Sequence, residues 1–163
     1  MGDNPQLSSS HEESALVKVL ILRTGESSDL ALPAYATAGS AGLDLRACIS
    51  QSITLPPGGR ALVGTGIAVA LPAGAEAQIR PRSGLAAEHG VTLLNSPGTV
   101  DSDYRGEVRL VVINHGQAPY TIHRGDRIGQ MVVGRVLRVE LKEVSQLPES
   151  ERNAGGFGHT GKS

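Results

Sequence analysis

Aromatic side chains are scarce here: the sequence has three Tyr, one Phe and no Trp among 163 residues. A core must therefore be aliphatic, and any ring outside a strand raises the question of what it touches. Cysteine is nearly missing too. The lone Cys48 excludes an internal disulfide and argues against a disulfide-stapled secreted fold. No apolar run approaches membrane-span length, and the first residues have neither the basic start nor the apolar middle of a signal peptide. MGDNPQ begins like a myristoylation site, but Gln6 stands where Ser or Thr is required. Excess charge is lacking as well: the formal net charge is −1, so no overall basic field invites nucleic acid. The expectation is a soluble, cytoplasmic protein with neither a membrane nor a nucleic-acid partner.

What is present suits one domain large enough to bury a core. Residues 1–15 are polar, lack apolar periodicity and are expected to be disordered. Residues 16–145 are read as a β domain and 146–163 as a flexible, glycine-rich C-terminal arm. Short aliphatic runs follow one another: Val17 to Leu22, then LDLRA from Leu43, Ser52 to Leu55, Ala61 to Val63, Ile67 to Leu71 and Ala75 to Ile79. PPGG and LPAG separate some of them as turns. Glu107 to Asn114, Tyr120 to Ile122 and a long run from Arg127 to Val144 complete the set. Strands this short predict an antiparallel sandwich, jelly roll or barrel rather than a parallel sheet. Only RPRSGLAAEHG reads as helix, about two turns long, with Ser83 as N-cap and Gly90 as its stop. Its first N–H groups lie beside Arg80, Arg82 and the Ser83 hydroxyl, a combination that suits an anion.

Leu94 to Glu107, LNSPGTVDSDYRGE, stands out between the runs VTLL and VRLVVIN. A plain hairpin spends about two to five residues on its turn. This one is far longer and carries Asn95, Asp101, Asp103, Tyr104 and Arg105. The tail, Gly156 to Ser163, matches the Walker A pattern letter for letter. That pattern needs a helix after it, and with the sequence stopping at Ser163 a P-loop NTPase is not expected. What remains is an arm with Arg152, Phe157 and Lys162, able to close over phosphates through backbone N–H groups.

Together these segments resemble the trimeric dUTPase family. Five motifs match in order: AGLDLRA from Ala41, RPRSGLA from Arg80, LNSPGTVDSDYRGE from Leu94, RGDRIGQM from Arg124 and RNAGGFGHTG from Arg152. Two positions depart, Gly129 where the family commonly has Ala and His159 where it commonly has Ser. The resemblance implies a jelly-roll-like β-barrel subunit with one short helix, assembled as a homotrimer whose sites are shared between chains. It implies hydrolysis of dUTP to dUMP and pyrophosphate by water attacking the α-phosphorus. That reaction removes dUTP from the DNA precursor pool and supplies dUMP for thymidylate synthesis.

The resemblance also assigns residues. Asp101 would be the general base, with Asp103 kept as a turn or salt-bridge residue. Asn95 and the backbone of Gly98, Thr99 and Val100 would read uracil. Tyr104 would lie under the deoxyribose, and Arg109 would reach the same pocket from the next strand. Arg82, Ser83, Gly84 and Gln130 would hold the phosphates, with Arg80 structural. Arg152 would reach the γ-phosphate, while Phe157 and Gly158 belong to the closing arm, Phe157 stacking on the base. Mg²⁺ would be held by the phosphates and water, with no direct protein ligand and Asp44 as an outer acid. His11, His89, His115, His123 and His159 are scattered and offer no transition-metal spacing. Two rivals are a dCTP deaminase-like relative, which needs a Glu base and another hairpin pattern, and a non-catalytic nucleotide-sensing regulator.

Overall fold

The computed structural model describes residues 16–150 and 153–154. The segment 1–15 and the arm residues Arg152, Phe157 and Gly158 lie outside the described residues. Ten strands and one helix follow in order: β1 (Leu20–Arg23), β2 (Leu43–Arg46), β3 (Ile53–Leu55), β4 (Arg60–Ala70), β5 (Ala75–Arg80), α1 (Ser83–His89), β6 (Val91–Leu93), β7 (Gly98–Val100), β8 (Glu107–Asn114), β9 (Tyr120–Ile122) and β10 (Arg127–Arg135). They form a four-stranded sheet ordered β1-β4-β8-β6, a second ordered β2-β10-β5-β7, and a two-stranded β3-β9 ribbon. Every pairing is antiparallel. The fold is all-β and jelly-roll-like, with sheets that stay separate and do not close into a barrel.

Alternation along the strands builds the core. In β8, Val108, Leu110 and Val112 are buried while Arg109 is exposed, the two-residue period of a sheet with one covered face. Leu45, Val63, Ile79, Val91, Ile122, Ile128 and Met131 join the same aliphatic cluster. Buried Asn114 ties elements together: its amide donates to the Leu55 carbonyl at 2.9 Å and to the Ala118 carbonyl at 2.8 Å.

Three departures from the sequence reading have physical causes. First, Ala61 to Val63 and all but the last residue of Ile67 to Leu71 belong to one strand, β4, although Gly64-Thr65-Gly66 interrupts its apolar pattern. Pairing with β8 slips between Gly64 and Ala68, and Gly66 takes φ 67°, a backbone state that favours glycine. The Glu107 carboxylate accepts the Gly66 N–H at 2.8 Å, and the Thr65 hydroxyl donates to the Val108 carbonyl at 2.6 Å. Second, the run to Val144 stops being strand at Arg135. The Val136 N–H still donates to the Gly74 carbonyl at 2.9 Å, but Leu137 and Leu141 beyond it are 89% and 91% exposed. Third, Leu94 to Glu107 is no simple hairpin. β6 and β8 pair with each other in one sheet, while β7 between them pairs with β5 in the other. The loop crosses the molecule and returns.

Candidate active site

α1 begins one residue earlier in its capping than expected. Arg82 occupies the N-cap position with φ −98° and ψ 126°, and no side chain caps the helix. Ser83 is therefore the first helical residue, and its hydroxyl is not spent on the cap. Gly90 ends the helix as expected, in the left-handed conformation at φ 68°, with its N–H on the Ala86 carbonyl. With no fully buried residue, the helix is held through Leu85, which packs against the core.

The start of α1 faces a cavity of about 400 Å³ lined also by Gly42, Asp44, Arg80, Arg127 and Gln130. Segments remote in sequence converge there because β10 lies between β2 and β5. Register places Gln130 opposite both Asp44 of β2 and Arg80 of β5. The Asp44 carboxylate is shared: Oδ1 lies 3.2 Å from Arg82 Nε, and Oδ2 lies 3.0 Å from Arg127 Nη1. Two guanidiniums against one carboxylate leave positive charge in the cavity. Gln130 Nε2 donates to the Pro81 carbonyl at 3.0 Å, tying β10 to the turn before the helix. Arg80 donates through Nε and Nη2 to Gln78 Oε1, at 3.2 and 2.7 Å. Gly42 leaves room for Gln130, since a Cβ there would stand 2.3 Å from Gln130 Oε1.

The turn that launches β10 is braced from outside. Arg124 makes a two-point contact with Asp29, Nε to Oδ2 at 3.0 Å and Nη2 to Oδ1 at 2.6 Å, and donates to the Ile49 carbonyl at 3.2 Å. The Arg124 guanidinium holds the Asp29 carboxyl below its usual range. Asp126 accepts the His123 N–H at 2.7 Å, closing the turn just before Arg127.

Asp101 lies elsewhere. It lines a cavity of about 510 Å³ with Gly74, Glu76, Ser102, Asp103 and the chain from Val136 to Val139. This cavity has no lining residue in common with that of Arg82. Among the described residues the Asp101 carboxylate takes no hydrogen bond and no ion pair. Its loop is held by other groups: the Tyr104 N–H donates to the Asp101 carbonyl at 3.1 Å, and the Tyr104 hydroxyl to the Glu107 carbonyl at 3.0 Å. Arg105 donates to the carbonyls of Ser102 and Tyr104, at 2.7 and 2.8 Å. The Tyr104 ring lies over Gly106, where an added Cβ would be 2.3 Å from the hydroxyl. β7, with Gly98, Thr99 and Val100, is the last strand of its sheet, so one edge of its main chain is unpaired there. Asn95 is exposed at the approach to β7, its Nδ2 3.3 Å from where a Gly98 Cβ would be.

The structure thus gathers Asp44, Arg82, Ser83, Gly84 and Gln130 in one place, and Asp101 in another. Arg109 is exposed on the outer face of β8 and lines neither cavity. Arg127 is the residue that sequence reasoning missed. Its only signal was a second arginine within RGDRIGQM, three residues before Gln130.

Fold and pocket together define an all-β, jelly-roll-like protein with a positively charged cleft at the start of α1. The dUTPase family model matches residues 28–161. The deoxyuridine 5'-triphosphate nucleotidohydrolase of Caldanaerobacter subterraneus subsp. tengcongensis is 57% identical over 141 residues, covering 86% of this chain and 95% of that protein. The protein of the same name from Anaeromyxobacter sp. (strain Fw109-5) is 56% identical over 147 residues, covering 90% and 99%. The chain belongs to the dUTPase family. Among solved structures, the dUTPase of Staphylococcus bacteriophage 80alpha, a mutant with dUpNHpp, superposes with a TM-score of 0.80 at 21% identity, covering 89% of this chain and 99% of that one. A mutant dUTPase from phage phi11 of S. aureus, described with a coordinated structural Mg(II) ion, gives a TM-score of 0.71 at 20% identity, covering 81% and 99%. At such identities these two structures speak for the fold. Among the described residues no helix is long and apolar enough to cross a membrane.

Proposed function

We propose that this protein hydrolyses dUTP to dUMP and pyrophosphate, clearing dUTP from the DNA precursor pool and supplying dUMP for thymidylate synthesis. The observation that carries the reading is the convergence of Arg82, Ser83, Gly84 and Gln130 on one positive cavity. Both curated relatives are named for the hydrolysis of this substrate.

In this reading Asp101 orients a water and takes its proton as the oxygen bonds to the α-phosphorus. The bond from that phosphorus to the bridging oxygen breaks, and pyrophosphate leaves. An acid with no partner among the described residues keeps its lone pairs for that water. Arg82 and the N–H groups of Ser83 and Gly84 stabilise the phosphate oxygens, and Gln130 donates beside them. The unpaired edge of β7 offers main-chain N–H and C=O groups to the acceptor–donor–acceptor edge of uracil, with Asn95 beside it. Tyr104, held over Gly106, fills the space a ribose 2′-hydroxyl needs. Arg109 would join from β8, and Arg152, Phe157 and Gly158 would close the arm 146–163 over the bound nucleotide.

The donor set fits Mg²⁺. Asp44, the acid lining the cavity, is engaged by two guanidiniums. Such a site suits a hard cation carried by phosphate oxygens and water, with Asp44 able to accept from a bound water. When bound, the ion would neutralise charge on the phosphates.

Because Asp101 and Arg82 line separate cavities, a complete site needs a second chain, which supports the homotrimer. The exposed Leu20, Leu22, Leu62, Leu137 and Leu141 are the apolar surface such an assembly would cover. The test incubates pure protein and Mg²⁺ with dUTP, dCTP, dTTP or UTP in turn, assaying pyrophosphate and base identity. Pyrophosphate from dUTP alone is expected. Deamination of dCTP, or binding without turnover, would overturn the reading.

A further inference from the structure

We propose that Arg127 is a positioning residue of the phosphate cleft, acting through Asp44 and Arg82. This rests on the reading that the cleft takes the triphosphate.

The observation is one of register. Across β10 and β2, Arg127 lies opposite Arg46 and Gly129 opposite Leu45, so two steps on β10 match one on β2. Ile128 is the extra residue. In a regular strand, residues 127 and 130 face opposite sides of the sheet. The bulge cancels one step of that alternation. Arg46 and Asp44 share a face of β2, so their partners Arg127 and Gln130 share a face of β10. Ile128 uses the added space to bury itself in the core at 3% exposure.

Thus re-aimed, Arg127 binds the acid of the cleft, Nη1 to Asp44 Oδ2 at 3.0 Å. Its carbonyl also accepts from Arg82 Nη1 at 3.4 Å, so it approaches Arg82 from two directions. Without it, Asp44 would keep a full charge against Arg82 alone and would repel incoming phosphates. With it, the acid orients Arg82 through Nε while the cleft stays net positive. Arg127 therefore sets both the charge balance and the geometry of Arg82.

The test measures equilibrium binding of dUTP in EDTA, in an Asp101→Asn background that prevents turnover. Arg127→Gln should weaken Kd about five- to tenfold, the scale of losing one partly exposed charge-assisted contact. Arg127→Lys should stay within about twofold of the parent, since it restores the charge. The discriminating variant is Arg127→Gln with Asp44→Asn. Removing the uncompensated acid should recover affinity relative to Arg127→Gln alone, whereas a merely structural Arg127 would make the second change neutral or harmful. An unchanged Kd in a folded Arg127→Gln protein, or a double variant no tighter than the single one, overturns the proposal. Failure of the parent to bind dUTP would instead strike the functional reading beneath it.

Discussion

The cavity at the start of α1 and the loop from Leu94 to Glu107 are built on opposite plans. In the cleft, side chains hold one another: Asp44 joins Arg82 and Arg127, and Gln130 is tied to the Pro81 carbonyl. In the loop, backbone carbonyls hold Tyr104 and Arg105, while the Asp101 carboxylate has no partner among the described residues. The tasks proposed for them differ in the same way. Stabilising phosphate charge works best with cations fixed before the substrate arrives, because little reorganisation is then left to do. A general base must instead leave its oxygens open to water. A cross-linked Asp101 would be well placed and useless.

Substitutions on either side can break or sharpen this contrast. The largest effect is expected for Asp101→Asn, which should bind dUTP normally while kcat falls by about 10²–10⁴, the range for a positioned base. Single-turnover kinetics with a separate binding measurement would check the split. Next comes Arg82→Gln, expected to lower kcat/KM by about 10- to 100-fold as a charge-assisted phosphate contact is lost. Co-refolding this chain with Asp101→Asn chains should restore activity, because mixed assemblies bring an intact Asp101 beside an intact Arg82. Verified mixed trimers no more active than the Arg82→Gln parent would refute the shared site.

Smaller effects belong to the sugar side of the loop. Tyr104→Ala should raise kcat/KM for UTP relative to dUTP by roughly tenfold, the scale of a steric discrimination. A ratio that stays flat would remove the ring from that role. Gly106→Ala should move the ratio in the same direction by a smaller factor. Its Cβ would stand 2.3 Å from the Tyr104 hydroxyl, so the ring must give way. Parallel UTP and dUTP assays on both variants would rank them.

How far the sequence could be read varies along the chain. Local signals served wherever local chemistry decides. The strand over Glu107 to Asn114, the stop at Gly90 and the two-turn helix after Arg82 all depend on near neighbours, and all are present. The motifs also named Arg82, Ser83, Gly84 and Gln130, which line one cavity. Ser83 misled as a cap because Arg82 can hold the capping backbone angles with no side-chain bond at all. The run after Arg135 misled because apolar residues make a strand only where a partner strand is available, and none lies there among the described residues.

Sequence alone therefore determined the aliphatic β domain, its short helix, and the residue types on which the proposed phosphate and water chemistry rests. It could not decide which side chains meet. That Leu94 to Glu107 crosses between sheets follows from β7 pairing with β5 rather than with its neighbours in sequence. That Arg127 shares a face with Gln130 follows from one extra residue in a ladder whose other side is β2. Facing depends on register, register depends on hydrogen bonds to strands remote in the chain, and one slipped residue turns a side chain to the opposite face.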